Sequence, residues 1–265
     1  MRSYKFAGYG EAVSEVVGES PAPQGSEVLL NVEACGVCHS DLHVLDGFFE
    51  LGDGKRLDLS GGRNLPFTLG HEIAGSVAAL GPDATGPTPG ERVVVYPWIG
   101  CGECAICGAG DEHLCADARA LGIQVDGGYA DQVLVPHPRY LLDFGDIPAR
   151  LAATYACSGL TAYSALKRIE TMAMRGATLI IGAGGVGMAA LALGRALHDN
   201  RIVVADNDAA KREAALAAGA DAVIDSAADG ALRQLRKLTD GGPAAVVDFV
   251  GAESTASFAV SAVRK

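Results

Sequence analysis

Apolar and polar positions follow two different rhythms along the chain. Up to about residue 150, short runs of branched apolar residues are bounded by Gly or Pro. SEVLLNVEACG, HEIAGSVAALG, GERVVVYPW and GYADQVLVP each read as a strand, and together they predict an all-β unit. From Leu151 onward, apolar runs alternate with Ala-rich stretches of helical spacing. TLIIG, RIVVAD, AVID and AAVVDFVG are the predicted strands. GVGMAALALGRALH, AAKREAALAAG, ALRQLRKLTD and STASFAVSAVRK are the predicted helices, a βαβα order that implies a parallel sheet. The change of rhythm falls near DIPARLAATYAC, so two domains are expected, 1–150 and 151–265. A doubly wound sheet has six strands. Four are visible, so the second domain is expected to be incomplete, truncated at its C-terminal side.

Composition narrows the function classes. The 265 residues carry a formal charge of −11, the wrong sign for displacing counterions from a phosphate backbone. Neither nucleic acid nor an anionic membrane is an expected partner. The first residues, MRSYKFAGYGEAV, do not resemble a secretory signal, and no apolar run is long enough to span a bilayer. A cytoplasmic, reducing setting is expected. There the seven cysteines, an odd number, point to metal binding rather than to disulfides.

Gly182-Ala183-Gly184-Gly185-Val186-Gly187 directly follows the apolar ATLII and directly opens a helix, the context of a dinucleotide-binding loop. Gly182 permits the tight turn, Gly184 lets the backbone approach a pyrophosphate, and Gly187 lets the helix pack on the strand. The second strand of this half ends at Asp206, close to the ~20-residue offset at which an acid receives hydrogen bonds from the adenosine ribose. That carboxylate would repel a 2′-phosphate, which favours NAD over NADP, although Asp208 and Lys211 lie close enough to blur the choice.

Four cysteines crowd into CGECAICGAGDEHLC: Cys101, Cys104, Cys107 and Cys115. Four sulfur ligands leave no open coordination position, so a zinc held there is structural, because catalytic zinc keeps one position open. An iron–sulfur cluster also takes four cysteines, but the spacing matches neither ferredoxin pattern. Further fragments with ligand-type residues are GVCHSDLH (36–43), GHE (70–72) and YACSG (155–159). Cys35, on an apolar run, reads as an ordinary buried residue.

Together with the cysteine cluster and the glycine loop, these fragments resemble the zinc-dependent medium-chain alcohol dehydrogenases, in the correct order and through nearly the whole chain. The resemblance implies an α/β protein with a GroES-like all-β catalytic domain and a Rossmann domain. It implies a catalytic zinc on Cys38, His71 and Cys157, a second, structural zinc on the cysteine cluster, and NAD. Asp41 would orient His71, and Glu72 would lie behind the metal. Ser40 would bond the substrate hydroxyl and pass its proton to His43, and His39 would lie against the cofactor pyrophosphate. His39 and His43 also read as plain surface residues. Trp98 reads equally as a pocket-lining aromatic or a core residue. The implied reaction is reversible oxidation of a small-molecule alcohol to an aldehyde or ketone, in a full-length form that is a homo-oligomer, a dimer or tetramer. The competing reading is a non-catalytic, zinc-stabilised module that binds metal, with or without nucleotide, and turns nothing over.

Overall fold

Strand texture and burial agree in the first half. In Gln132–Val135 the residues alternate, with Val133 and Val135 buried and their neighbours half-exposed, as expected for an antiparallel strand with one face on a core. The computed structural model describes residues 1–264, which divide into two compact units, one ending at Cys157 and one beginning at Ser158.

The first unit contains ten strands: β1 (Arg2–Phe6), β2 (Ser14–Val17), β3 (Val28–Gly36), β4 (Phe48–Gly52), β5 (Lys55–Asp58), β6 (Phe67–Thr68), β7 (Glu72–Leu80), β8 (Arg92–Val95), β9 (Gln132–Val135) and β10 (Leu141–Asp143). Its main sheet has the order β10-β8-β7-β3-β9, its pairs antiparallel. Val28, Leu30, Ile73, Val77, Val93, Val95, Val133 and Val135 form one core. A second sheet runs β2-β1-β6, and β4 and β5 form a hairpin. That hairpin lies inside the stretch FFELGDGKRLDLSGGRNLPFT, where the hydrophobic pattern had not indicated strands.

Three helices belong to this unit: α1 (His39–Asp46), α2 (Ala105–Gly108) and α3 (Ala149–Thr154). The division between the units lies beyond residue 150 for a physical reason. Ala152, Ala153 and Ala156 pack with Ala74, Val94 and Phe144, so α3 shares the core of the first unit.

The second unit contains the helices α4 (Leu160–Ala173), α5 (Gly185–Leu197), α6 (Ala209–Ala217), α7 (Ala231–Leu238) and α8 (Glu253–Ala262). Its strands are β11 (Thr178–Ile181), β12 (Ile202–Ala205), β13 (Ala222–Ile224) and β14 (Ala245–Asp248). All pairs are parallel, in the order β13-β12-β11-β14. Successive side chains serve opposite faces. Ile180, Ile202 and Val204 join Ala190 and Leu191 in one cluster, whereas Leu179, Ile181, Val203 and Ala205 join Leu235 in another. Burial on both faces explains why these strands read as unbroken apolar runs. No described helix is long and apolar enough to cross a membrane.

Candidate active site

The pairing of β3 with β7 sets Gly36 opposite Glu72, and so brings the residues after β3 beside those before β7. A Cβ at Gly36 would lie 2.0 Å from Glu72 Oε2, so any larger residue at this crossing would displace the Glu72 carboxylate. The chain leaving β3 turns into α1 at Cys38, whose N–H donates to Asp41 Oδ2 at 2.9 Å. This capping contact fixes Asp41 next to Cys38. Cys157 arrives from the π-helical turn Tyr155–Gly159 that follows α3.

These segments gather Cys38, His71, Glu72 and Cys157, whose ligand-type atoms all lie within 4.8 Å of one another. The sequence had suggested three ligands; the strand register adds the Glu72 carboxylate to the group. Cys38 Sγ and Cys157 Sγ are 3.9 Å apart. That is far beyond a disulfide bond of about 2.05 Å, and close to the edge of about 3.8 Å of a tetrahedron with Zn–S bonds of 2.3 Å.

His71 is fully buried, with Nδ1 3.2 Å from Asp41 Oδ1. Its other nitrogen, Nε2, has no hydrogen-bond partner among the described residues. Asp41 thus sets the tautomer and leaves Nε2 as a lone-pair donor inside the group. An orphaned imidazole nitrogen beside two sulfurs and a carboxylate is a donor set that fits zinc.

The charges in this group are shifted together. A hydrogen bond from the Cys157 thiol, with further help from His71 and Ser40, pulls the Cys38 thiol well below its ordinary value. The same contact, reinforced by burial, pushes Cys157 up. Burial disfavours charge on His71, but the Asp41 carboxylate and the Cys38 sulfur outweigh it and raise the imidazole to about 9, so that Nε2 must release a proton before its lone pair can take a metal. Burial likewise opposes ionisation of Asp41, and hydrogen bonds from His71, the Cys38 N–H and Tyr129 overcome it and lower the carboxyl.

Around this group, the Trp98 ring lies 5.5 Å from the His71 ring and its indole N–H donates to the Ala156 carbonyl at 3.1 Å. Ser40 and half-buried His43 lie on α1, with the His43 ring 4.8 Å from that of exposed His39 and 4.5 Å from that of Phe49 on β4.

The second cluster lies in the same unit. Cys101, Cys104, Cys107 and Cys115 have their sulfurs within 4.8 Å of one another, with Cys101–Cys107 at 3.9 Å and Cys104–Cys115 at 3.8 Å. The N–H groups of Cys101 and Cys107 point at Cys115 Sγ and Cys104 Sγ, both at 3.4 Å. The Cys107 N–H contact chiefly pulls the Cys104 thiol down to about 7. All seven cysteines are unpaired with one another as disulfides.

In the second unit the glycine loop joins β11 to α5. Gly184 is the N-cap of α5 and supplies no side-chain cap, and Gly184 and Gly185 are exposed with open space where a Cβ would stand. Unsatisfied N–H groups at an open helix start fit a pyrophosphate. Asp206 is buried. Its Oδ2 accepts from Ala183 N at 2.8 Å, within the loop, and Oδ1 accepts from Asp208 N at 2.9 Å. Each oxygen keeps a lone pair for another donor. Asp208 caps α6 by accepting from Ala210 N and Lys211 N.

Residues 24–146 match the alcohol dehydrogenase GroES-like domain, and residues 185–265 match the zinc-binding dehydrogenase domain. A protein of Sulfurisphaera tokodaii named NAD-dependent alcohol dehydrogenase is 38% identical over 258 residues, covering 97% of this chain and 74% of that protein. The crystal structure of the alcohol dehydrogenase from Aeropyrum pernix superposes with a TM-score of 0.86 at 28% identity, covering 99% of this chain and 75% of that one. The D-arabinose dehydrogenase from Sulfolobus solfataricus gives 0.86 at 29% identity, covering 99% and 78%. The chain belongs to the zinc-dependent medium-chain dehydrogenase family.

Proposed function

We propose that the protein is a zinc-dependent alcohol dehydrogenase that oxidises an alcohol to an aldehyde or ketone with NAD, reversibly. The observation that carries this reading is the Cys38–His71–Cys157 group, its last two members buried and Cys38 half-buried, with its unpartnered Nε2, in a chain that also bears an open glycine loop. When bound, zinc supplies Lewis acidity to the alcohol oxygen and NAD accepts the hydride.

The chain's own residues do the rest. Cys38, His71 and Cys157 would hold the metal and leave one position for substrate. Asp41 orients His71, and Glu72, whose carboxylate lies within 4.8 Å of these ligand atoms, would lie behind the metal. Ser40 takes the substrate's hydroxyl proton and hands it to His43, an imidazole on the same helix that can pass it on to water. Trp98 bounds the substrate position beside His71. The loop Gly182, Gly184, Gly185, Val186 and Gly187 takes the pyrophosphate with help from His39, and Asp206 takes the adenosine ribose, with Lys211 nearby. Cys101, Cys104, Cys107 and Cys115 hold a second, structural zinc. We assign the catalytic role to the first unit, which ends at Cys157, and NAD binding to the second, which begins at Ser158, in a cytoplasmic homo-oligomer. The free cysteines support the reducing setting.

The test is zinc content per chain together with NADH formation over a panel of primary, secondary and aromatic alcohols. Two zinc ions and turnover are expected, and Cys157→Ala should keep one zinc and lose turnover. Two zinc ions without turnover would sink catalytic competence of this chain; activity surviving in Cys157→Ala would sink the ligand assignment.

A further inference from the structure

Asp41 is 2% exposed and receives four hydrogen bonds. Oδ1 accepts from Gly70 N and from His71 Nδ1, both at 3.2 Å; Oδ2 accepts from Cys38 N and from the Tyr129 hydroxyl, both at 2.9 Å. Two of these donors are backbone groups of the segments that carry Cys38 and His71. Tyr129 comes from elsewhere in the chain, three residues before β9. It is delivered by three backbone hydrogen bonds, from Gly127, Gly128 and Tyr129 N–H to the carbonyls of Thr68, Gly70 and Leu69. Its ring lies on Gly70, where a Cβ would stand 2.6 Å from Tyr129 Cδ1. The hydroxyl also lies 3.3 Å from the Gly36 carbonyl, but its single proton is better spent on the shorter, charge-assisted bond to Asp41.

We infer that Tyr129 is a positioning residue for the metal site, its hydroxyl holding the Asp41 carboxylate in the orientation that aims His71 Nε2 at the metal. Asp41 is too buried for water to replace a lost donor, so removing the hydroxyl leaves Oδ2 with the Cys38 N–H alone. The carboxylate is then held by three donors instead of four, and its grip on the orientation of the His71 ring loosens. The inference rests on the reading of Cys38, His71 and Cys157 as zinc ligands.

Tyr129→Phe keeps the ring against Gly70 and deletes only the hydroxyl. Zinc affinity is measured at both sites of the zinc-loaded chain by competition with a chromophoric chelator, in the wild type, Tyr129→Phe, Asp41→Asn and the double variant. Tyr129→Phe should weaken the Cys38/His71/Cys157 site about tenfold, leave the four-cysteine site unchanged as the sign of an intact fold, and add nothing further in the Asp41→Asn background. Wild-type affinity in Tyr129→Phe, equal weakening of both sites, or an undiminished loss in the Asp41→Asn background would each overturn it. A wild type that binds a single zinc would overturn the ligand reading and this inference together, whereas two zinc ions with no effect of Tyr129→Phe overturn the inference alone.

Discussion

Gly187 and Gly184 lie three residues apart, and their surroundings differ: one is pressed against backbone and the other faces open space. A Cβ built on Gly187 would stand 1.7 Å from the Gly182 carbonyl oxygen. Non-bonded heavy atoms in contact stand roughly 3.5 Å apart, so Gly187→Ala must drive α5 away from the end of β11 by about 1.5 Å or more. The helix has nowhere easy to go, since Ala190, Leu191 and Gly194 on the same element are buried. Overpacking costs about 1–3 kcal/mol, and a clash against backbone places this one at the upper end, about 3 kcal/mol. For a unit of this size the thermal midpoint should fall by on the order of 12 °C. Gly184 is extended at φ −79° and ψ −169°, and its Cβ would have no atom within 4 Å. Gly184→Ala should therefore melt within about 0.5 kcal/mol of wild type. On the proposed placement of NAD its methyl group would instead take the space of the pyrophosphate, and NAD affinity should drop at least about tenfold. Circular-dichroism melts and calorimetric titration with NAD separate the two effects. A wild-type midpoint for Gly187→Ala would refute the packing argument, and wild-type NAD affinity in Gly184→Ala would refute the placement of the pyrophosphate.

Two further perturbations probe the supports of each unit. Glu112 accepts from Gly100 N at 3.1 Å and from the Tyr140 hydroxyl at 2.7 Å, and pairs with Arg139 at 3.0 Å. Glu112→Ala should speed zinc loss from the four-cysteine loop about tenfold without touching the other site; equal release kinetics would show that the loop needs no such anchor. Partial burial works against charge on Asp221, but hydrogen bonds from Arg195 and Ile202 N–H outweigh it and lower its carboxyl. A lowered folded value gives stability that is present above the unfolded value near 3.9 and is lost as pH falls through the folded one. Asp221→Asn should thus cost about 1 kcal/mol at pH 7, a figure kept small by solvent screening. Urea unfolding at neutral pH and near pH 3 should show the gap closing in acid, and a gap that persists there would remove the charge from the explanation.

The parts of this protein that were legible in its sequence are those whose cause is local. The glycine loop and the four-cysteine loop owe their form to neighbours a few positions away, and the strands of the parallel sheet show their burial on both faces as unbroken apolar runs, so the pattern reports all of them directly. Cys38, His71 and Cys157 are different. Nothing local makes any of them a ligand; they meet because Gly36 pairs with Glu72 across β3 and β7 and because a π-helical turn presents Cys157. Only the order of motifs in a family resemblance exposed them. The same register carries the Glu72 carboxylate, which the family resemblance places behind the metal, into the donor group. Tyr129 escaped altogether, because GYADQVLVP reads as a strand and its one informative feature is a hydroxyl whose partner lies 88 residues away. The adjacent Gly127-Gly128 pair was the available signal. At Gly127 a Cβ would stand 2.3 Å from the Gly70 carbonyl oxygen, and at Gly128 it would stand 2.6 Å from an Ile73 side-chain carbon, so the pair marks a backbone pressed against the GHE turn. Glycine runs ahead of an aromatic are therefore places to look for the residue that steadies a buried site from a distant strand.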